Sequence, residues 1–319
     1  MEEFNDTVQQ ELPQDTPVPD TPPEASAQKA SPMPRVTYYL LLCIFASVFL
    51  LSAVYLGHYF WEIHQASSNN EGYASLHESL KNEATATDAP TTAPTEPGET
   101  NASTSPTETT APSMLPEMEA LYQLNSDIVG WLTISGLRVD YPVMQTPAQP
   151  NYYLYRDFNG SDSSVGSLYV REACDVFSPS DNVVIYGHAM KSGDMFGRLA
   201  WYRERSYWEK HPTFTFDTLY EHHTYQIFAV FKTSGTYGVG YPYHLFNEAA
   251  SEEEFDQFIA DVKGAAFTSG GYAGSSLYDT GITPKYGDKL LTLSTCEYSV
   301  RDPDGEKNGR FVIMAVRID

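Results

Sequence analysis

With 42 acidic and 19 basic side chains in 319 residues, the chain carries a formal net charge of −23, and no run of Lys or Arg breaks that acidity. Nucleic-acid binders need basic stripes that neutralise phosphates, so that class of function is excluded. Three cysteines (Cys43, Cys174 and Cys296) are too few and too scattered for a disulfide framework, and no two have the CxxC spacing of a zinc or redox site.

Residues 1–35 are rich in Pro, Glu and Gln with few large apolar side chains, the composition of a disordered tail. Val36–Phe60 then runs 25 residues without a formal charge. At about 1.5 Å per residue this crosses a bilayer core of about 30 Å. Tyr38 and Tyr39 at one end, and Tyr55, Tyr59 and Trp61 at the other, suit the two interfacial belts. A cleaved signal peptide is the alternative; the length of the run and the extended segment before it favour a membrane anchor over residues 36–61. Lys29 and Arg35 flank it on the N-terminal side, whereas the next base beyond it is Lys81. The positive-inside rule therefore predicts a cytoplasmic N-terminus and an extracellular C-terminal domain.

Residues 62–113 form the expected linker: polar up to about residue 83, with a brief helical continuation, then Thr/Pro-rich from Ala84 to Ser113. That second part cannot bury a core, and its prolines favour an extended tether. Asn101-Ala-Ser matches a glycosylation sequon by pattern alone.

From Met114 onward about 206 residues remain, enough for one domain with a substantial core. Leu115–Asn125 places Met118, Leu121, Tyr122 and Leu124 at near-helical spacing and predicts a short helix. Strand character follows at Gly130–Ile134, Val139–Met144, Ser167–Val170, Asn182–Tyr186, Thr213–Phe216 and Tyr225–Lys232, each run bounded by Gly, Pro, Asn or Asp. Short strands at this spacing point to a barrel or sandwich. Glu248–Val262 reads as the one interior helix, with Phe255, Phe258, Ile259 and Val262 on one face and Glu252, Glu253 and Glu254 in its first turn, where acids suit the helix dipole.

The end of the chain carries the chemistry. Leu290–Thr295 and Phe311–Val316 are β-favouring runs joined by EYSVRDPDGEKNG, the signature of a hairpin. In it Cys296 ends the first strand and Arg310 begins the second. Cross-strand neighbours lie on one face about 5 Å apart, which sets a thiol beside a permanent cation. His188 ends the apolar run NVVIYGH, where Gly187 permits a sharp exit and a side chain can face a cleft. A lone cysteine at a strand end is more often packing, and a lone histidine more often structural. Three reactive types at three strand ends shift the balance. A thiolate stabilised by imidazolium and guanidinium, with the guanidinium free to bind a carbonyl or oxyanion, describes a cysteine acyl-transfer enzyme.

The residues TLSTC at Thr292–Cys296, IYGH at Ile185–His188 and Arg310 on the next strand resemble the active-site signature of sortases. LNSDIVGWLTISGLRVDYPVMQ, NYYLYRDFNG and NVVIYGHAMKSGDMFGRL resemble class B members in particular, and the likeness covers Met114–Asp319. It implies a mainly β fold: an eight-stranded sortase β-barrel with an N-terminal helix and an interior helix before the last hairpin, here joined to a transmembrane helix. It also implies Cys296 as nucleophile, His188 as the acid that protonates the leaving amine, and Arg310 as the substrate-orienting, oxyanion-stabilising cation. A surface protein's C-terminal sorting motif would be cut after its Thr, giving a thioester that an amine of a peptidoglycan peptide or precursor resolves. Family pockets place Leu154, Tyr186, Ser294, Thr295 and Glu297 along the substrate groove, with the Glu297 amide as an oxyanion donor; core packing is the competing reading for Leu154 and Tyr186. No metal or cofactor is implied. Two features depart from the class B pattern: the Glu297–Gly309 loop is short with no helical pattern, and Pro150 stands where relatives often have Asn. Pilin polymerisation, hydrolysis with water as acceptor, and a non-catalytic wall-spanning module are the alternatives. Cys174, in the polar stretch REACDVFSPSD, reads as incidental. Glu221-His222-His223 lacks the spacing of a helical zinc pair and reads as solvent-facing.

Overall fold

The computed structural model describes residues 34–87, 112–264 and 276–319. The expected disordered tail and most of the Thr/Pro-rich tether, including the sequon at Asn101, lie outside the described residues. The chain divides into two units, Met1–Tyr55 and Leu56–Asp319.

The described part of the first unit is the start of helix α1 (Arg35–Thr87). Its most apolar window has a mean hydropathy of 2.5 and none of it is buried, so it is long and apolar enough to cross a membrane. The second unit begins with the rest of that helix. Residues 62–87, expected to be helical only briefly, are helical throughout and dock on the barrel. The Tyr73 ring sits 4.4 Å from that of Phe158, and His77 stacks on Trp131 at 4.3 Å and 5°. Lys81 Nζ donates to Asp217 Oδ2 at 2.9 Å. The helix survives in this polar stretch because one narrow stripe finds an aromatic surface; propensity alone holds few helices in water.

Helix α2 (Pro116–Leu124) buries Met118 and Leu121, and Leu115 N bonds Leu219 O at 2.8 Å, fixing the helix to the barrel end. The eight strands are β1 (Ile128–Ile134), β2 (Val139–Met144), β3 (Leu168–Val170), β4 (Asn182–Tyr186), β5 (Thr213–Thr218), β6 (Thr224–Ser234), β7 (Leu290–Glu297) and β8 (Gly309–Arg317). They close into a barrel in the order β1-β2-β3-β4-β7-β8-β6-β5. The pairs β2–β3 and β4–β7 are parallel and the others antiparallel. Closure leaves no edge strand. Apolar runs rather than alternation dominate β4, β7 and β8, because both faces of these strands are covered; Val184, Leu293 and Ile313 are fully buried.

A short helix α3 (Arg205–Trp208) follows β4, and helix α4 (Glu252–Lys263) precedes β7. The α4 helix starts later than the sequence pattern because Ser251 caps it, its Oγ accepting from Glu254 N at 3.3 Å. Phe255, Phe258, Ile259 and Val262 form its buried face and the three glutamates its first turn, as expected.

Candidate active site

Register brings the three reactive side chains together. In the β7–β8 pair Cys296 lies directly opposite Arg310. In the parallel β4–β7 pair Tyr186 lies opposite Ser294. His188 follows two residues after this pair on one chain and Cys296 two residues after it on the other, so both leave the pair at the same end of the barrel. Two bonds tie the strand ends at this point: Gly187 N to Ser294 O at 3.2 Å and Thr295 Oγ1 to Gly187 O at 2.7 Å. A Cβ on Gly187 would lie 2.4 Å from Leu168 Cδ2 and 2.7 Å from Phe196 Cδ2, so the chain leaves β4 in close packing against these side chains.

His188, Cys296 and Arg310 line one cleft of about 610 Å³, together with Leu154, Tyr186, Ser294 and Thr295. The cysteine is partly exposed rather than packed away. His188 Nε2 lies 2.7 Å from Leu154 O. A carbonyl can only accept, so Nε2 carries a proton and Nδ1 is the nitrogen left to gain or lose one. Arg310 Nη1 donates to Asn308 O at 3.2 Å and to Gly309 O at 3.0 Å. Among the described residues no carboxylate pairs with this guanidinium, so its charge remains available to the cleft.

The buried phenols around the thiol are held in their neutral form. Burial pushes the Tyr169, Tyr186 and Tyr243 hydroxyls up, leaving each a neutral hydrogen-bonding group. Tyr243 Oη and Ser294 Oγ share a hydrogen bond of 2.6 Å on the cleft floor. A second imidazole, His244, also lines the cleft; burial, then the charges of Arg171 and Arg310, lower its pKa and favour the neutral ring.

Glu297 is the exception among the expected groove residues: its side chain turns away from the cleft. The residue after Cys296 points to the other face of the strand, and there the buried carboxylate pairs with Arg203 and with Lys232 Nζ at 3.7 Å. Only its backbone can serve the groove. Next to Pro150, which departs from the class B pattern, stands an asparagine. Asn151, in the left-handed region at φ 58°, lines the cleft and accepts from Tyr169 Oη at 2.9 Å. The Tyr298–Asn308 connection contains no helix, in line with its sequence. Cys174 lies in a loop and is buried: its Sγ is 3.6 Å from Asn182 O, and burial pushes the thiol up, away from reactivity, in line with an incidental residue. The His222 and His223 pair does not simply face solvent. His222 Nδ1 meets Asp217 Oδ2 at 3.0 Å, and His223, only 11% exposed, meets Glu221 and Asp319.

Sequence reasoning missed Asn151, Tyr155, Tyr169, Tyr243 and His244 as cleft residues. Only NYYLY, as part of the class B resemblance, and the aromatic-rich YPYHL segment gave any local signal.

Residues 132–318, more than half of the chain, match the family model described as the sortase domain. The chain belongs to the sortase family. Sortase B of Listeria monocytogenes is 31% identical over 198 residues, covering 62% of this chain and 72% of the relative. Sortase B of Staphylococcus aureus is 29% identical over 200 residues, covering 63% and 74%. Among solved structures, Bacillus anthracis sortase B in complex with AAEK1 superposes with a TM-score of 0.58 at 26% identity, covering 82% of this chain and 99% of that one. A Staphylococcus aureus sortase B–substrate complex shares the fold with a TM-score of 0.62 at 24% identity, covering 81% and 99%. The barrel is therefore a sortase B fold, and the family is one of cysteine transpeptidases. Within this sortase, the cleft that holds Cys296 is the candidate active site.

Proposed function

We propose that the protein is a membrane-anchored class B sortase that cleaves a C-terminal sorting motif of surface proteins after its Thr and joins the acyl group to a cell-wall peptide amine. Cys296 facing Arg310, with His188 lining the same cleft, is the observation that carries this reading. The Cys296 thiolate attacks the Thr carbonyl carbon, while Arg310 and the Glu297 amide stabilise the oxyanion. As the C–N bond breaks, His188 gives its proton to the departing amine and leaves a thioester on Cys296. The acceptor amine attacks the thioester, His188 takes the surplus proton, and the thiolate leaves. Leu154, Tyr186, Ser294 and Thr295 line the path of the peptide. A relative with this fold captured with its substrate supports a peptide ligand in the cleft.

The apolar start of α1 serves as a single span with the N-terminus in the cytoplasm and the catalytic domain outside, on the Lys29 and Arg35 asymmetry. Wall peptides and surface-protein signals are then the accessible partners, and no nucleic acid is. Incubation of the purified protein with sorting peptides, with and without an added amine, tests the reading. Amine-dependent ligation that requires Cys296 supports it. Hydrolysis indifferent to the amine contradicts it.

A further inference from the structure

The chain leaves β6 at Ser234 and passes directly over the Arg310 side chain. The three atoms nearest to where a Cβ on Gly235 would stand all belong to the Arg310 guanidinium group: Cζ at 2.7 Å, Nη2 at 2.8 Å and Nε at 3.1 Å. Gly235 does not have a positive φ. The backbone there is outside the left-handed region, so what an added side chain would disturb is the seat of the guanidinium. The same residue is also held by hydrogen bonding, since Gly235 N donates to Asn308 O at 2.7 Å. Asn308 O is also one of the two carbonyls that receive Arg310 Nη1. Asn308 Nδ2 donates to Thr236 Oγ1 at 2.9 Å, and Thr236 Oγ1 in turn bonds the buried Asp302 carboxylate. Gly235 thus stands close against the guanidinium, and hydrogen bonds join the β6 exit loop to the loop before β8.

We infer that Gly235 is a positioning residue for the reaction: with the Asn308 carbonyl it seats the Arg310 guanidinium and sets the direction in which its free N–H groups enter the cleft. This rests on the role proposed for Arg310. A guanidinium recognises a carbonyl or oxyanion through fixed, planar N–H directions, so its tilt matters as well as its charge. A methyl group at Gly235 needs a separation nearer 3.5 Å, which displaces the head by roughly 1 Å. Displacements of that size cost up to about 100-fold in rate.

The test is a double-mutant cycle in the full chain, read by single-turnover acylation and by transfer of a sorting peptide to an amine. Gly235→Ala lowers transfer by about 10- to 100-fold, with the loss in kcat rather than KM, while the thermal midpoint stays put. In an Arg310→Ala background the same substitution changes the rate by less than about twofold, because the group it displaces is gone. If Gly235→Ala alone fails to fold, the double variant regains the midpoint of Arg310→Ala. Full activity in Gly235→Ala, an undiminished loss in the Arg310→Ala background, or a double variant that stays unfolded each overturns the inference. Full activity in Arg310→Ala itself overturns instead the role of the arginine on which the inference rests.

Discussion

The imidazole of His188 donates from Nε2 to the main-chain carbonyl of Leu154, 2.7 Å away, and among the described residues no carboxylate pairs with it. A backbone carbonyl thus orients the ring, and the Tyr155 ring packs beside it at 5.4 Å. Glutamine at 188 can keep a donor near Leu154 O but cannot deliver a proton. His188→Gln is expected to retain the wild-type melting midpoint and to lose about 100-fold or more in transfer rate, the scale of removing a general acid. Near-wild-type transfer in that variant, measured by product chromatography, contradicts the role of His188.

Arg310 offers a planar fork to the cleft, and lysine offers a point charge. Arg310→Lys should therefore recover only part of the activity lost in Arg310→Ala, itself expected to fall at least about 100-fold. Steady-state kinetics of the three proteins decide it. A lysine variant as fast as wild type shows that charge alone is enough.

Glu297 separates two roles that one residue could hold. Burial alone pushes its carboxyl up, but the hydrogen bonds from Ser299 and the contact with Arg203 outweigh it and hold the group below its ordinary value. A depressed carboxyl contributes stability above its unfolded value, about pH 4.3, that is lost as pH falls through the folded value. Glu297→Gln is expected to cost about 1–3 kcal/mol at pH 7, with the deficit shrinking toward pH 3. Its KM should change less than about threefold, since the carboxylate faces away from the cleft and the amide is retained. A large rise in KM without loss of stability would place the side chain in the groove after all.

Two histidines around the Lys81–Asp217 ion pair, His77 on the docked helix and His222 on the barrel, titrate in opposite senses. The hydrogen bond to Asp217 raises His222, against a smaller opposing effect of burial. Its contribution is full below about pH 6.5 and is lost as pH rises through the raised value. Burial, then Lys81, lowers His77, against Glu117, Asp140 and Asp217, and its Nε2 has no partner among the described residues. Its neutral ring favours the fold above about pH 6.5, and that contribution is lost as pH falls. His222→Gln should lower the melting midpoint by roughly 1–3 °C near pH 5.5 and by nothing measurable above pH 8. His77→Phe keeps an aromatic ring over Trp131 and should gain at pH 5 relative to pH 8. Calorimetric scans across this range check both, and parallel curves for variant and wild type contradict the assignment.

The barrel was legible wherever local pattern decides structure. The runs at Val139–Met144 and Asn182–Tyr186 match β2 and β4 residue for residue, and the hairpin pattern alone sets Cys296 opposite Arg310, as the β7–β8 register has it. The docking of residues 62–87 was not legible. Tyr73 and His77 make a stripe only against Phe158 and Trp131, which lie far along the chain. The cleft walls escaped for the same reason. Asn151, Tyr243 and His244 arrive on loops whose paths follow from strand order, and no local periodicity records it. The face that the Glu297 side chain takes was not legible either: the family likeness carries a position along the strand, and alternation turns the carboxylate toward Arg203 while the backbone stays next to Cys296.

The chemistry proposed here places an acyl group on one sulfur. Intact-mass spectrometry of the protein mixed with a sorting peptide, followed by addition of an amine, measures that directly. A mass increment equal to the acyl fragment is expected on Cys296, absent in Cys296→Ala, and discharged by the amine as a ligated product. An unmodified Cys296 under conditions that still yield ligated product contradicts a thioester route.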